Sequence, residues 1–400
     1  MTVLTGAEVF VDGELKKLDI ALEEDKICAL GRNLEGEEHV DCSGKLILPG
    51  VIDVHVHVRD LKQSHKEDWE SLGRAAIAGG VTTVFAMPNT DPPLDTVERV
   101  HDYRRRAQAA KINAKIYGAI TSENYKDLEN LASHVDAFKL YLGETTGHLI
   151  VSEKRLHREI FKIVTETEKI LTVHAQRGGD PKDVTRHEVD DICYVLDLAA
   201  AYETKLHIAH VTTQRAVETI LEAKKSKLDV SFETCPHYLY FTAKDRERHG
   251  AWLKMNPPLA TEDDREFLWW ALAEGLIDIV ATDHAPHTVE EKSVGYEKAP
   301  AGVPGVEFLL PLLFDAVNAD RLSLARLVEV CCTNPARRFG LSHKGEIAVG
   351  QDADLVVVDP DRKQAITREA VQSKCGWSPY EGLTLRGWPV MVFVLGRPLP

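Results

Sequence analysis

The chain has 400 residues, 44% of them hydrophobic and 28% charged, with a formal net charge of −15. This length predicts one large domain with an accessory one, and the composition is typical of a globular protein. The acidic balance argues against a nucleic-acid partner, because phosphate binding needs a basic surface. No apolar run reaches the roughly 18 residues that span a bilayer, so we expect no membrane partner.

Cysteine usage and the first residues predict the compartment. Seven cysteines are scattered without a C-x-x-C pair, which argues against a disulfide framework and for a reducing environment. Residues 1–4 lack a basic stretch followed by an apolar core, so we expect no signal peptide. Both features predict a cytoplasmic protein.

The two ends of the chain have the texture of short β-strands. Residues 7–11, followed by Asp12 and Gly13, predict a hairpin with an Asp-Gly turn. Residues 353–359 and 390–394 read as further strands. We therefore expect residues 1–48 and 341–400 to pair into one small β-sandwich-like domain that flanks a central domain, residues 49–340.

The central domain alternates apolar β-branched runs with segments of helical period. The strand candidates are residues 51–57, 82–86, 115–119, 137–140, 171–174, 206–210, 229–234 and 277–283, and the helix candidates include 68–78, 96–110, 153–169 and 215–225. Eight such β-α units predict an α/β fold, a (β/α)8 TIM-type barrel. A doubly wound open sheet is the alternative.

The first candidate strand ends in two histidines separated by one residue. Side chains at positions i and i+2 of a strand point to the same face, so His55 and His57 could reach one metal ion. Neutral imidazole is a common ligand of zinc-like ions. A chance pair of histidines on a half-buried strand is the alternative, so further ligands must be sought at other strand ends.

Four other candidate strands carry metal-binding side chains near their ends, where the active site of such a barrel lies. The full set is His55, His57, Lys139, His174, His210 and Asp283. Only one of His207 and His210 can point inward, and we choose His210 because it lies nearer the active rim. Taken singly, Asp283 could cap a helix and Lys139 could be a salt-bridged lysine. Together, four histidines and an aspartate suffice for two divalent ions, and CO2 could convert the lysine into a bridging carbamate.

Several segments carry a family resemblance. The segments are residues 55–57, 138–142, 173–176, 207–211, 281–287 and 344–355. On these motifs the chain resembles the cyclic amidohydrolase branch of the amidohydrolase superfamily, and within it the dihydroorotase family. The last segment is shared across the superfamily and is silent on substrate.

The resemblance implies a role for each ligand. His55, His57 and Asp283 would hold one divalent ion, His174 and His210 the second, with zinc expected and manganese or cobalt left open. Carboxylated Lys139 and a hydroxide would bridge the two ions, and the hydroxide would attack an amide carbonyl. Asp283 would be the catalytic acid and base, passing a proton to the leaving nitrogen.

The resemblance also implies how a substrate carboxylate is held. Arg59, Asn89 and His287 match the trio that grips the carboxylate of dihydroorotate, and Arg59 shares a strand face with His57. Further contacts are expected from Thr145 and Thr146, in a glycine-flanked segment, and from Asn256. Residues 60–68 depart from the Glu-Pro-Gly turn of many relatives, so this loop leaves the substrate preference open.

The resemblance therefore implies reversible hydrolysis of dihydroorotate to N-carbamoyl-aspartate in pyrimidine biosynthesis. The alternatives are another cyclic amidohydrolase, such as an allantoinase or a hydantoinase (dihydropyrimidinase), and an inactive scaffold homologue. The expected partner is this small-molecule substrate. A homodimer or an association with other pyrimidine-pathway enzymes stays open.

Overall fold

The computed structural model describes residues 1–143, 149–177 and 184–399. Its strands are β1 (Thr2–Thr5), β2 (Glu8–Val11), β3 (Glu14–Lys17), β4 (Asp19–Glu23), β5 (Lys26–Gly31), β6 (Glu38–Asp41), β7 (Leu46–Pro49), β8 (Val51–Val56), β9 (Val81–Ala86), β10 (Asn113–Ala119), β11 (Ala137–Tyr141), β12 (Leu171–His174), β13 (Leu206–Ile208), β14 (Val230–Thr234), β15 (Ile279–Val280), β16 (Leu355–Ala365), β17 (Thr384–Val394) and β18 (Arg397–Leu399). Its α-helices are α1 (Trp69–Ala78), α2 (Val97–Arg106), α3 (Leu128–Ala132), α4 (Lys154–Glu166), α5 (Val184–Tyr202), α6 (Gln214–Lys225), α7 (Pro236–Tyr240), α8 (Ala243–His249), α9 (Glu262–Ala273), α10 (Val289–Lys292), α11 (Leu309–Asn318), α12 (Leu324–Val328) and α13 (Asn334–Arg338).

Strands β8 to β15 form one parallel sheet in chain order. The sheet closes on itself, because Val56 at the end of β8 pairs in parallel with His284, beyond β15. The backbone N–H of His57 also donates to the carbonyl oxygen of His284 over 2.7 Å. The predicted TIM-type barrel is thus confirmed, and the open-sheet alternative is wrong because the first and last strands meet.

Two barrel strands are shorter than the sequence predicts. β13 ends at Ile208 and β15 at Val280, whereas the apolar pattern extends to His210 and Asp283. Both of these residues have a positive φ, 42° at His210 and 46° at Asp283, which an extended strand does not allow. The backbone therefore leaves the ladder just before each polar side chain.

An apolar layer fills the barrel below the polar strand ends. Ile52, Val54, Phe85, Tyr117 and Ile279 belong to one buried cluster, against which Phe339 and Leu341 pack. Burying this surface is worth roughly 25 cal/mol per Å². The packed layer leaves the polar groups at the carboxyl ends of the strands.

The helices around the barrel begin at polar caps. The Asp68 side chain accepts from the Ser71 backbone N–H, and the Ser71 hydroxyl accepts from the Asp68 N–H, a capping box that starts α1. The Thr213 side chain likewise accepts from the Ala216 N–H and starts α6. Each cap ends the loop that leads from a barrel strand into its helix, so it also fixes that loop.

Both chain ends build the small β layer. One sheet has the order β5-β4-β1-β6, and the other the order β18-β17-β16-β7-β2-β3. Strand β7 pairs antiparallel with β16, which joins the two ends of the chain. The predicted hairpin is confirmed by the pairing of Val11 with Glu14 around Asp12 and Gly13.

A buried cluster of its own supports this layer. It includes Leu4, Val9, Ile20, Leu355 and Phe393, residues from strands of both sheets. We propose the division 1–48, 49–340 and 341–400 for the chain, with the first boundary falling inside β7. In the described ranges, no helix has both the length and the apolar character needed to cross a membrane.

Candidate metal centre and active-site cavity

A cavity of about 290 Å³ lies at the carboxyl ends of the barrel strands. It is lined by His55, His57, Arg59, Asn89, Lys139, Tyr141, His174, His210, Lys254, Met255, Asn256, Asp283, Ala285 and residues 299–302. All six predicted ligand positions therefore face one space, although they come from five different strands.

Three of these side chains converge most closely. Oδ1 of Asp283 lies 3.0 Å from Nε2 of His57 and 3.2 Å from Nε2 of His55. Bonds of about 2.0–2.2 Å to a tetrahedral zinc ion would place two of its ligands about 3.3 Å apart. The three ligand atoms therefore have a spacing that suits one shared cation.

The other nitrogen of each imidazole is held by a neighbour. Nδ1 of His55 contacts Oε1 of Glu233, and Nδ1 of His57 lies 2.6 Å from Oδ1 of Asn89. Because both partners offer oxygen acceptors, Nδ1 carries the proton and Nε2 presents a lone pair to the cavity. Metal-binding histidines commonly have this arrangement.

A second pair of histidines lies beside the first. Nδ1 of His174 is 2.7 Å from Nε2 of His210, and the His210 and His55 rings have centroids 5.4 Å apart. Burial lowers the pKa of His174 to about 3, an effect that Lys139 reinforces. Burial also holds the pKa of His210 well below its usual value. Both side chains are therefore neutral bases that can ligate a cation.

Lys139 extends into the same cavity from the middle of β11. The residue is fully buried, and its Nζ has no hydrogen-bond partner among the described residues. Burial lowers its pKa to about 8, although Glu233 and Asp283 oppose this effect. A buried lysine without a hydrogen-bonding partner is costly, so this position fits an amine that is modified or that faces another charged group.

The donor set as a whole fits divalent cations. It combines four imidazoles and a carboxylate, ligands that zinc and similar ions accept, with a lysine whose Nζ has no hydrogen-bond partner among the described residues. Burial raises the pKa of the Asp283 carboxyl, but the neighbouring His55 and His57 outweigh it and hold this pKa well below its usual range. Asp283 is thus an anion at neutral pH.

A second aspartate fixes the loop that carries Asp283. Asp53, on β8 with His55, accepts from the Thr282 hydroxyl over 2.5 Å and from the Thr282 N–H over 3.1 Å. These bonds hold the residue immediately before Asp283, where the backbone turns to a positive φ. Asp53 therefore positions the aspartate relative to the histidine pair.

The predicted carboxylate-binding residues lie at one side of the cavity. Nε of buried Arg59 donates to the Pro286 carbonyl over 3.2 Å, and its Nη2 lies 3.1 Å from Nε2 of His287. Asn89 and Asn256 line the cavity, while His287 lies behind Arg59. Burial lowers the pKa of Arg59 to about 10, so the guanidinium keeps its charge at neutral pH.

A glycine in the cavity wall next to His287 allows close approach of two loops. Gly302 has a φ of 136°, and a Cβ there would lie 2.5 Å from the Ala285 carbonyl oxygen and 3.1 Å from Cδ2 of His287. Its N–H donates to the carbonyl of Lys254 over 2.9 Å. A side chain at this position would displace the loop that borders the carboxylate-binding side.

Two predicted substrate contacts cannot be compared with the cavity, and two other buried residues do not line it. Thr145 and Thr146 fall in residues 144–148, outside the described residues. His207 is buried and contacts Ser231 and Glu233 rather than lining the cavity. Cys235 is also buried, and burial holds its pKa well above the usual value, which does not suit a nucleophile.

Sequence reasoning missed two residues that support the ligands, Glu233 and Asp53. Oε1 of Glu233 contacts His55, and its Oε2 lies 3.1 Å from Nε2 of His207. A carboxylate at the end of a barrel strand is the signal that could have found Glu233. Asp53 carries a similar signal, since it precedes His55 by two residues and must share its face.

Comparisons with known proteins identify the family of this chain. The amidohydrolase family model matches residues 46–399. Curated relatives include the dihydroorotase of Halobacterium salinarum, 37% identical over 97% of this chain and 94% of the relative, and that of Pyrococcus abyssi, 37% identical over 99% and 94%. Among solved structures, the L-hydantoinase of Arthrobacter aurescens has a TM-score of 0.94 and 29% identity, covering 99% of this chain and 95% of that one. The chain belongs to the amidohydrolase family, as the sequence motifs predict.

Proposed function

We propose that the chain is a metal-dependent dihydroorotase, which interconverts dihydroorotate and N-carbamoyl-aspartate in pyrimidine biosynthesis. The observation that carries this proposal is the buried guanidinium of Arg59, which lines the same cavity as the metal-binding side chains. A cyclic amide that also bears a carboxylate suits such a cavity. The full-length similarity to dihydroorotases supports the same reading.

His55, His57 and Asp283 would hold one divalent cation, and His174 and His210 the second, with zinc as the expected ion. When bound, the cations would supply Lewis acidity, lowering the pKa of a water and polarising the amide carbonyl. Glu233 and Asn89 keep the Nδ1 proton on the first two histidines, so that Nε2 is available as a ligand. The chain thus prepares the ligands before any ion arrives.

Lys139 would enter this site as a carbamate. Its neutral amine adds CO2 and loses one proton, which converts a buried cation into an anion able to bridge two cations. Burial supports this step, because it lowers the pKa from 10.5 to about 8 and so raises the share of neutral amine near neutral pH. Among the described residues Nζ has no hydrogen-bond partner, and this also supports the carbamate.

Asp283 would move the proton. In the direction of hydrolysis, water adds to the ring carbonyl and the C–N bond breaks. The ring nitrogen must then gain a proton as the second carboxylate forms. Since Oδ1 of Asp283 faces both imidazoles, we place the travelling proton on Oδ2. An ionised carboxylate can take it from water and return it to the nitrogen.

Arg59 would hold the substrate carboxylate, with Asn89, Asn256 and His287 beside it. The Oδ1 atom of Asn89 already accepts from His57, so a substrate contact would use Nδ2. Hydantoins have no such carboxylate and would make no charge-assisted contact with this guanidinium. This difference favours dihydroorotate as the substrate.

A hydantoinase is the second candidate, and the solved L-hydantoinase with a TM-score of 0.94 is the observation that favours it. Turnover of dihydroorotate and of unsubstituted hydantoin by the zinc-loaded protein, measured side by side, separates the two. We expect clear hydrolysis of dihydroorotate and, in the reverse assay, clear ring closure of N-carbamoyl-aspartate. Turnover of hydantoin without turnover of dihydroorotate would reject the proposal, and turnover of neither would favour the inactive scaffold.

The setting we propose is the cytoplasm, with free cysteines as support. All seven cysteines are free thiols, and five of them are buried. A reducing compartment keeps such thiols free. Self-association or binding to other pyrimidine-pathway enzymes remains open, and size-exclusion chromatography with light scattering would test the first.

A further inference from the structure

The carboxylate-binding side of the cavity is backed by a chain of buried polar contacts. Nζ of Lys66 lies 3.1 Å from Nδ1 of His287 and 2.9 Å from Oε1 of Glu291. Lys66 and His287 are 8% and 1% exposed. Lys66 lies in the loop between β8 and α1, in the segment whose sequence leaves the substrate preference open.

These contacts decide which nitrogen of His287 carries its proton. A neutral imidazole has one N–H, and an ammonium group can only donate. Nδ1 therefore accepts from Lys66, and the proton lies on Nε2. The other oxygen near Nδ1 is Oε2 of Glu291 at 3.6 Å, which is too long for a hydrogen bond.

The protonated nitrogen faces the cavity wall. Nε2 of His287 lies 3.0 Å from the carbonyl oxygen of Ala301, a residue that lines the cavity. The guanidinium of Arg59 beside it cannot accept a proton, so the carbonyl is the acceptor in the described structure. Burial and the adjacent Arg59 lower the pKa of His287 to about 3, which keeps the ring neutral.

Glu291 holds Lys66 in turn. Its Oε2 accepts from the Thr288 N–H over 3.0 Å, while the Glu291 N–H donates to the Thr288 hydroxyl over 3.3 Å. This reciprocal cap fixes the carboxylate, and the carboxylate fixes the ammonium. The orientation of His287 is thus set from the loop before α1 and from the start of α10.

We infer that Lys66 is a positioning residue for the substrate carboxylate: by donating to Nδ1 of His287, it keeps the proton on Nε2, where an anion beside Arg59 can accept it in place of the Ala301 carbonyl. This inference rests on the proposed function, because it assigns the anion to the substrate. Without Lys66 the ring could protonate Nδ1 toward Glu291 and present a lone pair to the carboxylate.

The test uses the zinc-loaded full chain with ¹⁵N-labelled histidine, where the His287 signals are identified by their loss in His287→Asn. We expect the wild type to show a protonated Nε2 and an unprotonated Nδ1. In Lys66→Met the preference is lost, and KM for dihydroorotate rises about tenfold or more while kcat stays within about threefold. Lys66→Arg keeps a donor and should therefore keep the wild-type tautomer of His287 and the wild-type KM. Lys62→Met, on the exposed part of the same loop, is the control and should change neither the tautomer nor KM.

A wild-type His287 protonated at Nδ1 would overturn the inference, even if Lys66→Met fails to fold. Unchanged nitrogen signals and KM in Lys66→Met would also overturn it. A wild type that does not turn over dihydroorotate would instead reject the proposed function, and the nitrogen signals would still show whether Lys66 sets the tautomer.

Discussion

Oδ1 of Asn89 accepts a hydrogen bond from Nδ1 of His57 over 2.6 Å, so a residue that follows β9 fixes a candidate metal ligand that follows the neighbouring strand β8. The sequence predicts Asn89 as a substrate contact, and the structure adds a second task. The carbonyl end of the amide holds the metal ligand, while the Nδ2 end is the donor that could reach a carboxylate. The candidate metal and substrate sites therefore share this side chain.

Two substitutions separate these tasks of Asn89. Asn89→Leu removes the acceptor, and we expect zinc affinity or activity to fall about 10-fold to 100-fold. Asn89→Asp keeps an acceptor for His57 but presents a negative charge, so metal content should stay while KM for dihydroorotate rises. Metal analysis with steady-state kinetics measures both, and Asn130→Asp on exposed α3 is the control. The same metal content and the same KM in the two Asn89 variants would contradict this division of tasks.

Glu233 should matter although it lines no part of the cavity. Its carboxylate contacts His55 and His207. Burial raises the pKa of Glu233, but the contacts with these two imidazoles together outweigh burial and hold this pKa far below the usual range. Glu233→Gln weakens the acceptor that orients His55, so we expect zinc affinity or kcat to drop about 10-fold to 100-fold. Competition with a zinc chelator measures the affinity. Glu222→Gln, exposed on α6, is the control and should change neither zinc affinity nor kcat. If Glu233→Gln has the zinc affinity and kcat of the wild type, His55 does not need this carboxylate.

Arg59 should control KM rather than the chemical step. A charge-assisted hydrogen bond is worth about 1.5–3 kcal/mol, so Arg59→Met should raise KM for dihydroorotate roughly 10-fold to 100-fold. Dihydrouracil has the same ring without the carboxylate, and its turnover should not fall. Arg74→Met, on the exposed face of α1, is the control. A fall in kcat with unchanged KM would place Arg59 outside the carboxylate contact.

Stability should depend on pH through Glu188, on α5. This buried carboxyl accepts from the Thr212 N–H and from the Thr213 hydroxyl over 2.7 and 2.6 Å, but burial outweighs these bonds and raises its pKa to about 7. The folded state therefore binds a proton that the unfolded state has lost above pH 4.5. Stability from this group is complete below that pH and is lost as the pH rises through about 7.

Glu188→Gln removes this titration. Between pH 5 and pH 8 the wild type should lose on the order of 2–3 kcal/mol relative to Glu188→Gln. Thermal unfolding at both pH values measures the difference, and Asp190→Asn on the exposed side of α5 is the control. If the free energies of unfolding of wild type and Glu188→Gln differ by the same amount at pH 5 and pH 8, the Glu188 carboxyl is ionised at both pH values.

The barrel and the convergence of the ligands could be predicted because they follow from short-range rules. The alternation of side chains along a strand places His55 and His57 on one face. Parallel strands then bring the ends of distant segments to one rim. Both rules act on local patterns, which the sequence shows directly.

The supporting contacts could not be predicted, because they depend on side-chain placement across strands far apart in the chain. His55 and Glu233 are separated by 178 positions, and Lys66 and His287 by 221. The bends at His210 and Asp283 were missed because an apolar pattern does not report a positive φ. Only the packed structure places these groups at hydrogen-bonding distance.

Native mass spectrometry of the purified chain, loaded with zinc in bicarbonate buffer, tests the central claim most directly. Our account predicts one dominant species that carries two zinc ions and one CO2, with the CO2 and at least one zinc lost together in Lys139→Ala. A chain that binds no zinc, or that binds two ions without any CO2 and keeps them in Lys139→Ala, would contradict it.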